Sequence, residues 1–141
     1  MNAGLPLVEE LVPCPDPWEI AQKLSHLPHL LFLDSSQHQP FRGRYSYVTA
    51  DPLCTMSEND LAGEPLAMPR VKSIPELPPF QGGYAGLFSY EFGRRFERLP
   101  LPQHDEFRFP DTTIFCYDWV IAFDHLQQRA WLISTGESRN E

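Results

Sequence analysis

Apolar positions recur along this chain with two different periods, and the change of period divides it into elements. In DPWEIAQKLSHLP, Ile20, Leu24 and Leu27 return at helical spacing and Pro28 stops the run. Asp16 is placed to cap free amides, Pro17 suits the first helical position, and Glu19 completes a capping-box spacing. The pattern predicts a helix with one face toward a core. HLLFLDS then reads as a short buried strand closed by polar turn residues.

From there the period falls to two. In GRYSYVTADP, Tyr45, Tyr47 and Thr49 face one way and Ser46, Val48 and Ala50 the other, up to an Asp51-Pro52 turn. GYAGLFSY predicts a strand whose glycines allow close backbone approach. YEFGRRFERL predicts a short helix, with Tyr90, Arg94 and Glu97 on one side and Phe92, Phe96 and Leu99 near the other. The strongest β pattern is TTIFCYDWVIAF, where Phe115, Tyr117, Trp119, Ile121 and Phe123 alternate with Cys116, Asp118, Val120 and Ala122. A turn near DHLQQ returns the chain through RAWLIS as an antiparallel hairpin. Residues 55–79 hold five prolines and no aromatic residue, which predicts a long surface connection of low order. Five strands with few helices predict an α+β fold, mainly antiparallel sheet: half of a β-sandwich with one or two packed helices.

A length of 141 residues predicts a single domain over 1–141, and 42% hydrophobic with 13% aromatic residues predicts a folded one. Eleven basic residues against nineteen acidic ones leave a net charge of −8. That field repels phosphate backbones and anionic lipid, so it argues against nucleic acid or membrane partners. MNAGLPLVEELVP lacks the basic start and apolar run of a signal peptide, and WVIAF falls far short of the ~20 residues that span a bilayer. A cytoplasmic protein is expected. Cys14, Cys54 and Cys116 are widely spaced with no CxxC, which suits small apolar thiols better than a disulfide frame or zinc site.

The chemistry-bearing motifs narrow the picture chiefly by failing. QGGYAG lacks the Gly-Lys-Ser/Thr ending of a nucleotide P-loop, and Gly82, Gly83 and Gly86 do not fit a dinucleotide fingerprint. GRRFER interleaves its arginines with Glu91 and Glu97, as a salt-bridged, solvated helix face does. Histidines 26, 29, 38, 104 and 125 show no metal-ligand spacing, and no nucleophile is paired with a base. Asp118 reads either as a buried acid with a partner or as a sheet-edge residue. Arg42 and Arg44 flank Gly43 just before a strand, where a forked guanidinium suits a carboxylate and Ser35 adds a hydroxyl.

Taken together, GRYSYVTADPLCT, LPPFQGGYAGLFSYEFGRRFERLP, FPDTTIFCYDW and FDH resemble the component I family of aminodeoxychorismate and anthranilate synthases, and lean toward the aminodeoxychorismate branch. The resemblance runs from about Leu24 to Ser134. It implies an enzyme that places ammonia on chorismate with Mg2+, the ammonia being released from glutamine by an amidotransferase subunit, component II. The product, 4-amino-4-deoxychorismate, leads to 4-aminobenzoate and folate. The resemblance also implies that catalysis belongs to a C-terminal chorismate-binding region with no counterpart here. This chain is then expected to be an N-terminal domain, non-catalytic alone, that exposes an apolar sheet face and is marginally stable. An L-tryptophan pocket is implied at Ser35, Arg42, Gly43, Arg44 and Tyr45, its other wall supplied by the missing region. Asp34 departs from the glutamate typical of the anthranilate branch, and residues 55–79 are shorter than the helix-bearing insert of relatives. Two alternatives stand beside this reading: a stand-alone tryptophan-binding regulatory module, and the anthranilate synthase branch.

Overall fold

The computed structural model describes residues 4–37, 39, 41–56, 72–101, 103–106 and 108–135. Its elements are β1 (Leu7–Glu10), α1 (Pro17–Lys23), β2 (Leu31–Leu33), β3 (Tyr45–Thr49), β4 (Cys54–Met56), β5 (Gly83–Phe88), a 3-10 helix (Tyr90–Arg95), β6 (Thr112–Tyr117), β7 (Trp119–Asp124) and β8 (Arg129–Ser134). Every strand pairing is antiparallel: β1-β8-β7-β3-β2 form one sheet and β4-β6-β5 a second. The α+β, mainly antiparallel fold expected from the sequence is the one observed.

The helix begins as its sequence dictates. Asp16 caps it by accepting a hydrogen bond from the Glu19 amide at 3.0 Å, and Pro17 occupies the first turn. Its apolar side, Ile20, Ala21 and Leu24, packs on Val48, Ile121, Phe123 and Ala130 of the five-stranded sheet. The other face of that sheet carries Val120, Ala122, Trp131 and Ile133, covered in part by Tyr47, Leu77 and Phe80. Alternation therefore sorts β7 and β8 into two apolar faces, both buried, as central strands require.

Three expectations are corrected. The described residues hold eight strands, not five. β1 was hidden because its LVEE ends in two glutamates and all four of its residues are exposed at the sheet edge. The run 112–124 is two strands, because Asp118 is where the chain leaves the small sheet for the large one. Asp118 is buried there, and its carbonyl accepts from the Thr135 amide at 2.8 Å, which closes the corner. Thr55 and Met56, placed in the surface connection by their sequence, belong to β4.

The rest of that connection, as far as it is described, is folded down. The Gln81 side chain accepts from the Ile74 amide at 2.9 Å and donates to the Ile74 and Pro78 carbonyls at 2.8 and 3.2 Å. This clamp buries Pro78 and lays Leu77 and Phe80 on the sheet. Residues 57–71 of the expected connection lie outside the described residues.

In the small sheet, Gly86 performs the role its sequence implied. A Cβ there would fall 1.9 Å from the Thr113 carbonyl oxygen, so only glycine lets β5 lie against β6. The segment after β5 forms a 3-10 helix rather than an α-helix. Phe88, Phe92 and Phe96 meet along it, the first pair tilted at 5.0 Å and the second edge-to-face at 5.6 Å. Arg95 covers the Phe92 ring at 5.2 Å, and Arg94 donates to the Pro100 carbonyl at 2.9 Å.

Candidate functional site

The five residues singled out by resemblance meet where β2 ends and β3 begins. Gly43 sits at φ +68°, and a Cβ on it would fall 1.9 Å from the Gln37 carbonyl oxygen. Only glycine lets the returning chain pass this close to the Ser35–Gln37 stretch. Ser35 then donates its hydroxyl hydrogen to the Tyr45 carbonyl, and its amide donates to Ser46 Oγ at 3.1 Å. Ser35, Gly43 and Tyr45 are thus held together. Arg42 is different: it is exposed and contributes backbone hydrogen bonds with Gln39 at 2.9 and 3.2 Å.

Arg44 does present its guanidinium as a fork to a carboxylate, and that carboxylate is the protein's own. Nε lies 3.1 Å from both oxygens of Asp124, and Nη2 lies 2.6 Å from Oδ2. Asp124 Oδ1 also accepts from the amides of Leu126 and Gln127 at 3.0 and 3.1 Å, which shapes the turn into β8. Burial alone would raise the Asp124 pKa. The hydrogen bonds and charge of Arg44, with the Gln127 and Leu126 amides, outweigh it and hold the carboxyl below its ordinary range. Arg44 also lies over the Tyr45 ring at 5.0 Å. Its chemistry here is to lock β3 to the end of β7.

Three further residues complete the site. Ser46 is fully buried, and its hydroxyl shares a 2.6 Å hydrogen bond with His125 Nε2 and donates to Asp34 Oδ1 at 3.3 Å. With the Ser35 amide as well, that hydroxyl uses its donor and both acceptor positions. The Asp34 carboxylate stands on the serine itself, so Ser46 ties Asp34, Ser35 and His125 into one structural knot.

Beside the knot, Trp18, Phe32, Asp34, Ser35, Ser36 and His125 line a recess of about 350 Å³, with Trp18 and Phe32 rings 6.1 Å apart. One aromatic side, formed by these two rings in contact, and a polar end suit a small amphipathic molecule, and the volume lies at the lower end of the usual ligand range. Sequence reasoning missed His125 and Trp18. His125 lies 79 residues from its serine, and the link appears only when register sets Tyr45 opposite Asp124. Among the described residues, no group of three His, Cys, Asp or Glu is placed to hold a metal ion. Nor is any helix of the described residues long and apolar enough to cross a membrane.

Comparison with known proteins accords with the motifs. The family model described as chorismate binding enzyme matches residues 29–141. Aminodeoxychorismate synthase component 1 of Escherichia coli (strain K12) is 34% identical over 133 residues, covering 79% of this chain and 29% of that protein. The corresponding Bacillus subtilis (strain 168) protein is 28% identical over 136 residues, covering 82% and 27%. Anthranilate synthase component 1 of Streptomyces coelicolor is 35% identical over 97 residues, covering 64% and 18%. The chain spans less than a third of the length of each of these relatives. With residues 29–141 matched by its model, this chain belongs to the chorismate binding enzyme family.

Proposed function

We propose that this chain is the N-terminal, non-catalytic part of an aminodeoxychorismate synthase component 1. The complete enzyme would aminate chorismate to 4-amino-4-deoxychorismate, with Mg2+ and ammonia from a component II amidotransferase, toward 4-aminobenzoate and folate in the cytoplasm. The observation that carries this reading is the similarity to aminodeoxychorismate synthase components along most of the chain. The test is to assay the purified chain with chorismate, ammonium and Mg2+, alone and then supplemented with the C-terminal portion of the Escherichia coli relative. No turnover alone, with 4-amino-4-deoxychorismate formed on supplementation, is expected. Turnover by the chain alone overturns the non-catalytic assignment, and anthranilate as product moves the chain to the other branch.

The aromatic recess supports a second element of this reading, an L-tryptophan site. Trp18 and Phe32 would together offer one aromatic face to the indole, Asp34 would face the ammonium group, and Ser35 and Tyr45 would shape the floor through their mutual hydrogen bond. Gly43 makes room for that floor. Arg44 would act indirectly, by holding β3 against Asp124, and Arg42 would belong to the site by the resemblance alone. Titration calorimetry with L-tryptophan and with N-acetyl-tryptophan tests it: the acetylated form should bind at least tenfold more weakly. Equal affinity for the two removes Asp34 from the site. Tight binding of tryptophan by this chain alone favours the stand-alone regulatory module.

A further inference from the structure

Strand register brings together two thiols that the sequence keeps far apart. Cys54 and Cys116 stand directly opposite each other where β4 pairs with β6. Opposed residues of an antiparallel pair project to the same face, with Cα and Cβ separations both about 4.5–5.5 Å. A disulfide accepts Cα separations of about 4.4–6.8 Å and asks for Cβ atoms about 3.5–4.5 Å apart, so closure needs a movement of about an ångström. The position is suited to that movement. Cys54 is the first residue of a three-residue strand, and the Leu53 amide donates to the Cys116 carbonyl at 2.8 Å, which ties the chain just before Cys54 to the partner strand.

Accessibility divides the roles. Cys116 is 3% exposed and lies in the central strand of the small sheet, whereas Cys54 is half-buried and within reach of a reagent in solution. Both are thiols in the structure. Cys14 is exposed elsewhere, beside the start of α1, and provides an internal control.

We propose that Cys54 and Cys116 form a modification site, a cross-strand dithiol that low-molecular-weight disulfides oxidise to an intramolecular bridge. The Cys54 thiolate attacks one sulfur of glutathione disulfide, whose S–S bond breaks and releases one glutathione. The Cys116 sulfur, its proton passed to solvent, then attacks Cys54 Sγ in the mixed disulfide and expels the second glutathione. Two protein thiols are oxidised, one glutathione disulfide is reduced to two thiols, and the protons end on the departing glutathiones. The bridge fastens β4 to β6 and closes a loop over the intervening residues.

The experiment equilibrates the native protein in glutathione redox buffers, traps residual thiols by alkylation and maps the peptides by mass spectrometry. A 2 Da loss with a linked Cys54–Cys116 peptide pair is expected. It should persist in Cys14→Ser, and Cys54→Ser should abolish it. Reduction should restore the starting mass. Failure of the linked pair to form in the most oxidising buffer, while the protein retains its native circular dichroism, overturns the proposal. A bridge from Cys14 to either other cysteine overturns it equally. Cys54→Ser changes a half-buried position, so the test does not depend on a variant of the buried Cys116.

Discussion

The two sheets share one covalent strand run, yet they are finished differently. The five-stranded sheet is covered on one face by α1 and on the other by Leu77 and Phe80, and its turn is tied by Arg44 and Asp124. The three-stranded sheet leaves Leu87 and Phe88 about half exposed, and the neighbouring Tyr90 and Phe96 at 80%. The difference teaches that alternation alone does not make a core. A second layer must be present to receive each face, and for β5 the described residues supply little of one.

Core truncation should separate the sheets most sharply. Phe123→Ala removes a side chain buried against α1 and should cost about 3–5 kcal/mol of stability. Phe88→Ala, with half its surface already in water, should cost well under half as much. Urea unfolding of both variants checks the contrast, and equal losses would mean that the small sheet carries as much of the cooperative fold as the large one.

Next come the ion pairs, one inside the large sheet and one on its rim. Asp124→Ala takes the buried acceptor carboxylate away from four donor groups and should cost about 2–3 kcal/mol. Glu10→Ala removes the exposed partner of Arg129, and a much smaller loss should follow, because solvent screens that pair. Because folding lowers the Asp124 pKa, its contribution is present above the unfolded value and is lost as pH falls below about 4. The acid limb of the stability–pH curve should therefore flatten in Asp124→Ala.

The small sheet has its own titration. Burial pushes the Tyr117 phenol up to about 12, and its hydroxyl donates to the His29 carbonyl at 2.8 Å. The folded state keeps a proton that the unfolded chain releases near pH 10. Stability should therefore fall by up to about 2–3 kcal/mol as pH rises from about 10 to 12. Thermal melts of the protein and Tyr117→Phe across that window should converge only if this phenol is the cause. A modest effect belongs to α1, where Asp16→Ala removes the cap and should cost about 1 kcal/mol, measured by urea unfolding.

What could be read from the sequence follows the same division. α1, β2, β3, β5 and the β7–β8 hairpin were legible because each carries its signal within its own residues. β1 and β4 were not: one is short, exposed and half acidic, and the other is three residues long. Both are strands because a neighbour offers an edge, which no local pattern records. The junction at Asp118 was invisible for a related reason, since alternation continues across it while the pairing partners change. At the site, Ser35, Arg44 and Tyr45 could be found around a required glycine. The carboxylate that Arg44 holds, and the imidazole behind Ser46, come from the other side of the fold.

The pairing scheme also sets a timetable for biosynthesis. Among the described residues, β2 with β3 is the one pairing that does not involve β6, β7 or β8. On a ribosome adding about 5–20 residues per second, β1, β3, β4 and β5 emerge seconds before the strands that will receive them. The nascent chain would spend that interval with β-competent segments and the Phe88–Phe92–Phe96 stretch unprotected, so this is the period in which a holding chaperone has most to cover.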